Sequence, residues 1–463
     1  MKHTRTELRD ICVIGFALFS MFFGAGNVIF PPYLRLGCGA QWFLGFLCYY
    51  AADIGLALLA LFAILRTGGP EGITRPIGRV PSALLMSAIV LCIGPMLAIP
   101  RTAATTYEMS MAPLASGFSP VLFSILSFLL ILVLCLKESA VVDIVGKFLT
   151  PALLIGLLVL IIRGVLRPIG PVPDRVLVDN VVFTGIEAGY QTMDVLAAMV
   201  FGIIVLKSAR DKGYTDARSQ FRVVAGAGAV AGAALLVVYM GLTYLGVTTS
   251  RFFDLSVLRT FLVVSIVRNL LGRAGVILFS VVVALACVTT AVALVSSAAS
   301  YFSRLSGGRL PYPLLAAVIC AFSAVVSNFG LDRIVSIASP VLNIVYPPTL
   351  VLILLSFFDR RIRSDWVVRM AALGALAASV LTVAAELGAP LEFPALLPLA
   401  AATEYNTLKE QHPDALVGFE QNGQFEFYGE DARKVCELVG GKLLEKETAL
   451  GIVPVTGFPR DQW

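Results

Sequence analysis

Two stretches of this chain set polar and backbone-disrupting residues inside apolar runs. Phe22 to Pro32 interrupts the first run with Gly24-Ala25-Gly26-Asn27 and closes it with Pro31-Pro32. Phe183 to Asp194 carries Glu187, Gln191 and Asp194 together with Gly185 and Gly189. A membrane helix that breaks frees carbonyls able to ligate a cation and N–H groups able to hold an anion, so paired breaks are the chemistry of a transport site. Small residues that merely let two helices pack closely give the same local signature. The correspondence of the two stretches, five spans apart, favours the transport reading. Intramembrane carboxylates point the same way, because they are costly and usually functional.

Further residues join this set. Thr289 and Thr290, with Ser296-Ser297 two turns on, offer hydroxyl oxygens to a hard cation or, equally, bond their own helix. Pro95 and Pro100 should kink the third span. Arg101 after them can line an outer vestibule, pair with Glu108, or snorkel outward. Pro340, Pro347 and Pro348 imply a bent tenth span. No nucleophile and base stand together on a recognisable motif, so an enzyme is not expected.

The elements that must position these residues follow from composition. The chain has 463 residues, 58% hydrophobic and 14% charged, with a mean hydropathy of +0.88. That is a polytopic, all-α membrane protein. Apolar runs long enough to cross the hydrocarbon fall near 11–35, 40–65, 81–112, 118–136, 143–166, 181–206, 221–247, 274–303, 312–329, 333–357 and 366–387. A twelfth begins at Phe393 and stops after Ala402. With the N-terminus cytoplasmic, Lys and Arg concentrate in the inner loops, as the positive-inside rule requires. The outer loop Thr248 to Arg273 has Leu255, Leu258, Phe261, Leu262 and Ile266 at helical spacing and predicts a short helix over the outer face. Eight scattered cysteines show no disulfide framework or metal spacing, and His3 and His412 lie at the chain ends. The N-terminus reads as an uncleaved first helix rather than a signal peptide.

The runs Phe22 to Pro32, Ile93 to Ala103, Gly189 to Asp194 and Ser327 to Leu331 resemble the BrnQ branched-chain amino acid transporter family, from the first span through the eleventh. The resemblance implies the leucine-transporter-like fold, a five-plus-five inverted repeat. Here that repeat has eleven full spans and a truncated twelfth. It also implies a symporter in the bacterial cytoplasmic membrane that takes up leucine, isoleucine and valine with sodium as the coupling ion and no cofactor. Backbone groups of Gly24, Ala25, Gly26 and Asn27, and of Gly189, Tyr190 and Gln191, would hold the substrate's carboxylate and ammonium. Phe22 and Tyr190 would shape the aliphatic pocket. Asn27 and Thr192 would ligate one sodium ion, and Thr289 with Thr290 a second. Arg101, Glu187 and Asp194 would serve coupling or gating, which leaves proton coupling, another amino acid substrate, or a transport-inactive sensor open as alternatives.

The transporter domain is expected over 1–402, and 403–463 as a soluble α/β segment. Glu404 to Trp463 holds eleven Asp and Glu against six Lys and Arg. Residues His412 to Ala432 are similar to the N-terminal domain of the MutS mismatch-repair proteins. That family's Phe-x-Glu motif is interrupted here, because Phe427 stands two residues after Phe425. An acidic segment suits phosphate-rich DNA poorly, so no nucleic acid partner is expected.

Overall fold

The computed structural model describes residues 2–386, apart from 116, 137–149, 172–175, 177, 179, 250–251, 254–256, 359–360 and 363, and in the tail 416, 418–421, 424–439, 444–448 and 451–459. The chain divides into two compact units, Met1–Val383 and Ala384–Trp463. The expected junction at 402/403 and the run Phe393 to Ala402 lie outside the described residues.

The first unit is helical: α1 (Lys2–Phe22), α2 (Ala25–Cys38), α3 (Gly39–Thr67), α4 (Arg79–Leu114), α5 (Pro120–Leu136), α6 (Thr150–Leu166), α7 (Val181–Thr192), α8 (Asp194–Asp211), α9 (Ala217–Val247), α10 (Arg259–Leu305), α11 (Tyr312–Val326), α12 (Leu331–Ser356) and α13 (Asp365–Glu386). Among the described residues each of the apolar runs expected to span coincides with one of these helices or with a consecutive pair; 143–149 of the fifth run lie outside them. Among the described residues eight helices are long and apolar enough to cross a bilayer, nine when the bent pair α1/α2 is one span. The shorter apolar helices α5 and Leu153–Leu166 of α6 fall below that length, so the expected count of eleven is not reached on length alone.

Aromatic side chains fill the centre. Phe19, Phe22, Phe23, Phe46, Tyr49, Phe201, Tyr239 and Tyr346 are fully buried, and Phe19 and Phe23 stack with centroids 5.5 Å apart. Apolar residues on the outside, such as Leu126, Leu129 and Leu130 of α5, are exposed, as a lipid-facing surface must be, since burying them would gain nothing over hydrocarbon.

Breaks in the helices decide the interior. The first span bends by 70° between α1 and α2, where Gly24 takes φ −116° and ψ −162°. Beyond it α2 runs through Pro31 and Pro32 to Cys38, so those prolines do not close the span. Within α4, Gly94 leaves helical geometry at φ −93° and ψ −128°, and Leu97 follows at −128° and −64°. The expected kink at Pro95 is therefore present, whereas Pro100 sits in the first turn of the helix that restarts at Ala98, where a missing N–H costs nothing. The prolines of α12 lie inside one continuous helix. The outer-loop helix expected before Arg273 forms the first arm of α10 and turns at Gly272, whose φ of 65° favours glycine. Leu262, Val263, Ile266, Val267 and Leu270 bury its inner stripe.

The second unit is the α/β module foreseen for the tail. Strands β1 (Gly418–Gln421), β2 (Gln424–Tyr428), β3 (Leu444–Thr448) and β4 (Gly451–Pro459) form one antiparallel sheet in the order β1-β2-β4-β3, with α14 (Gly429–Val439) between β2 and β3. Phe427, Ala432 and Val435 make its small core.

Candidate functional site

The sixth span breaks at Met193, between α7 and α8. Met193 is buried and left-handed at φ 71°, the sole non-glycine residue with positive φ among the described residues. Such a conformation costs about 1–3 kcal/mol and persists only where its surroundings impose it. Gly189, Tyr190 and Gln191, expected to be the unwound stretch, are instead the last turn of a regular helix. Gly185 and Gly189 serve packing. A Cβ on Gly185 would come within 2.6 Å of the Gly45 carbonyl oxygen, and one on Gly189 within 2.8 Å of the Tyr49 carbonyl oxygen, so only hydrogen fits between α7 and α3.

The C-terminal end of α7 has no idle carbonyl. Gly189 O accepts from Thr192 Oγ1 at 2.5 Å and Tyr190 O from Met193 N at 3.1 Å. Gln191 O and Thr192 O accept from Arg101 Nη1 and Nη2 at 2.6 and 2.9 Å. The four carbonyls that every helix leaves over are thus all engaged. Arg101 is 4% exposed and does not pair with Glu108 or face a vestibule. Glu108 accepts from Leu331 N at 2.9 Å and Thr260 Oγ1 at 2.8 Å.

Across from this end, α2 begins with Ala25, Gly26 and Asn27, and no side chain caps it. Asn27 Nδ2 donates to Asp194 Oδ2 at 2.6 Å and to the Tyr239 hydroxyl. That leaves the Asn27 amide oxygen as an acceptor. The single Thr192 hydroxyl proton is shared, since Oγ1 also lies 2.8 Å from Asp53 Oδ1. Asp53 is fully buried in a widened turn of α3, Ala51–Gly55, and its Oδ2 has no donor. It lies within interaction distance of Asp194.

Phe22, Gly24, Ala25, Asn27, Arg101, Thr192, Asp194, Phe201 and Thr290 line a central cavity of about 30 Å³, room for about one water. Thr290 Oγ1 is buried without a partner and faces Gly24, whereas Thr289 donates to its own helix at Ala286 O, 2.8 Å away. Tyr190 stacks on Tyr346 of α12 at 4.7 Å, outside the lining of this cavity. Glu187 and Gln191 line a different one of about 320 Å³ toward the Cys38 end of α2, also lined by the Arg259–Asp332 ion pair, with Arg259 4.6 Å above the Tyr33 ring. A third cavity, about 750 Å³, opens toward Lys207 and Arg304.

Residues 7–403 match the family model described as branched-chain amino acid transport protein. The chain belongs to that family. It is 35% identical over 362 residues to the branched-chain amino acid permease BrnQ of Salmonella typhimurium, covering 77% of this chain and 82% of the relative. It is 33% identical over 367 residues to the permease BraB of Bacillus subtilis, covering 78% and 82%. The family consists of transporters, not enzymes. Its fold is shared with a manganese transporter of Eremococcus coleocola, at a TM-score of 0.56, 14% identity and coverage of 87% of this chain and 92% of that one. The nucleobase-cation-symport-1 transporter Mhp1 gives 0.55, 12%, 82% and 94%. Residues 400–463 match a model described as MutS domain I.

Sequence reasoning missed Asp53. The signal was there: a lone carboxylate in Ala51-Ala52-Asp53-Ile54 is as expensive in a membrane span as Asp194 is. Tyr239 gave no such signal, since a tyrosine in an apolar run is ordinary.

Proposed function

We propose that this chain imports leucine, isoleucine and valine across the bacterial cytoplasmic membrane with sodium, by alternating access, its N-terminus cytoplasmic. The observation that carries this reading is the pair of breaks, at Gly24 and at Met193, meeting around one small cavity lined by charged, amide and aromatic groups. The names of the relatives, branched-chain amino acid permeases, supply the substrate class. In this reading α1–α6 and α7–α12 are the two inverted copies, each broken in its first span, and transport belongs to residues 1–402.

The zwitterion is held by polar groups at the breaks, and its side chain meets Phe22, Ile93, Phe201 and Leu294. Such an apolar wall separates ligands differing by one methylene only about 10- to 200-fold, so the three amino acids compete. Sodium, as cargo, takes oxygen from Asn27, Asp194 and Thr192, with Asp53 balancing charge behind them. Thr290 supplies oxygen to a second ion beside Gly24. A cavity that holds about one water cannot hold leucine. The half-helices must therefore part, toward the Cys38 side to load and toward the Lys207 side to release.

The test is leucine uptake into proteoliposomes containing the full chain, at fixed pH, with and without an inward sodium gradient. Uptake driven by the gradient is expected. Equal rates in both conditions transfer the coupling to protons at Asp194, and no uptake in either leaves a sensor.

A further inference from the structure

Arg101 is a fully buried cation whose guanidinium, among the described residues, has no carboxylate within ion-pair distance. A guanidinium carries five N–H donors. Two of them are spent on the carbonyls of Gln191 and Thr192, and Nε is buried with no partner at all. Burying an unpaired charge is costly unless an anion reaches it. The group also lies directly over the start of α2: a Cβ on Gly26 would stand 2.8 Å from Nη2. Gly26 is therefore glycine so that the guanidinium can reach the uncapped end of a 14-residue helix, the end whose N–H groups and dipole favour an anion. Arg101 lines the same cavity as Gly24, Ala25 and Asn27 at the start of α2.

We infer that Arg101 is the charged partner of the ligand's carboxylate, beside the N-terminal turn of α2 already expected to receive it, and that Arg101 makes a free α-carboxylate obligatory in the ligand. This deepens the proposed function and rests on it. The carbonyls of α7 hold the guanidinium in place, and the planar fork is shaped for a carboxylate. Asp194, which lines the same cavity and lies within electrostatic reach of Arg101, presents the opposite charge, with Asp53 behind it. The site thus carries both signs of charge, positive at Arg101 and α2 and negative at the Asp53–Asp194 pair, which matches a zwitterion and rejects a ligand lacking either end. The carbonyl end of α7, already engaged, contributes orientation of Arg101 rather than ligand contacts.

The experiment is displacement of radiolabelled leucine from the purified full chain in sodium, by leucine, by leucinol and by leucinamide. In the wild type, leucinol and leucinamide compete about ten- to a hundredfold worse than leucine, the worth of a charge-assisted pair. In Arg101→Gln this gap closes, and in Arg101→Lys, which keeps charge but not the fork, it narrows. Gly26→Ala, whose Cβ pushes the guanidinium aside without removing it, also narrows the gap and serves where Arg101→Gln does not fold. If leucine binds and the gap survives both Arg101→Gln and Gly26→Ala, Arg101 is only a strut for α7 and the inference falls. If the wild type binds no leucine, the functional reading falls first, and this inference with it.

Discussion

The two breaks that meet at the centre are built from opposite materials. At the first, Gly24 adopts an extended geometry open to any residue, and the helix beyond it starts with uncapped N–H groups. At the second, a methionine is forced left-handed, and the helix before it ends with every carbonyl engaged. The first break leaves N–H groups that no side chain caps; the second is satisfied within the protein and supplies a fixed frame. The glycines divide accordingly. Gly24 and Gly26 border the cavity and Arg101, while Gly185 and Gly189 are consumed in packing α7 on α3.

The widest separation between the two regions is expected from glycine replacement. Gly189→Leu drives a side chain into the Tyr49 carbonyl and Ala52, where backbone cannot give. Overpacking costs about 1–3 kcal/mol or more, so most folded protein should be lost, as judged by monodisperse yield and thermal unfolding in detergent. Gly24→Ala meets only the Thr290 side chain at 3.2 Å, so it should fold and lose uptake. Normal folding and transport by Gly189→Leu would erase the division drawn here.

Asn27→Ala is expected next in size. It removes the amide that links α2 to Asp194 and Tyr239, so half-saturation for sodium should rise about tenfold, roughly 1.4 kcal/mol, with near-normal abundance. Unchanged sodium dependence of uptake would strip that residue of its ligand role. The smallest effect compares neighbours on one helix. Thr290→Ala, which loses a buried free hydroxyl at Gly24, should raise the sodium requirement several-fold. Thr289→Ala, whose hydroxyl is already bonded to Ala286, should stay within about twofold. Equal responses in a sodium titration of leucine binding would deny the second ion position.

Much of this was legible in the residues. Gly24 to Asn27 showed the first break because its two glycines and asparagine have a counterpart stretch five spans on, which close packing alone would not require. Asp194 was legible by its cost. The second break falls inside the expected stretch Phe183 to Asp194, but the free backbone expected at Gly189 to Gln191 is helical, since glycine looks the same in a sequence whether it frees a backbone or admits a neighbouring one. Nothing local distinguishes Met193 from any buried methionine. Arg101 was visible as an intramembrane charge, but its partners are main-chain carbonyls some ninety positions away, and main-chain atoms leave no mark in a sequence.

By itself, then, the sequence determined the membrane class, the helical segments, the first break, the family likeness and the acidic α/β tail. These depend on hydropathy, helix-breaking residues and local periodicity, all written along the chain. Tertiary structure alone decided where the sixth span unwinds, that Asp53 stands behind Asp194, that Thr290 rather than Thr289 faces the break, and that Glu187 and Tyr190 look elsewhere. Each of these depends on which surfaces meet when distant helices pack, because burial and partnership are properties of the neighbour as much as of the residue.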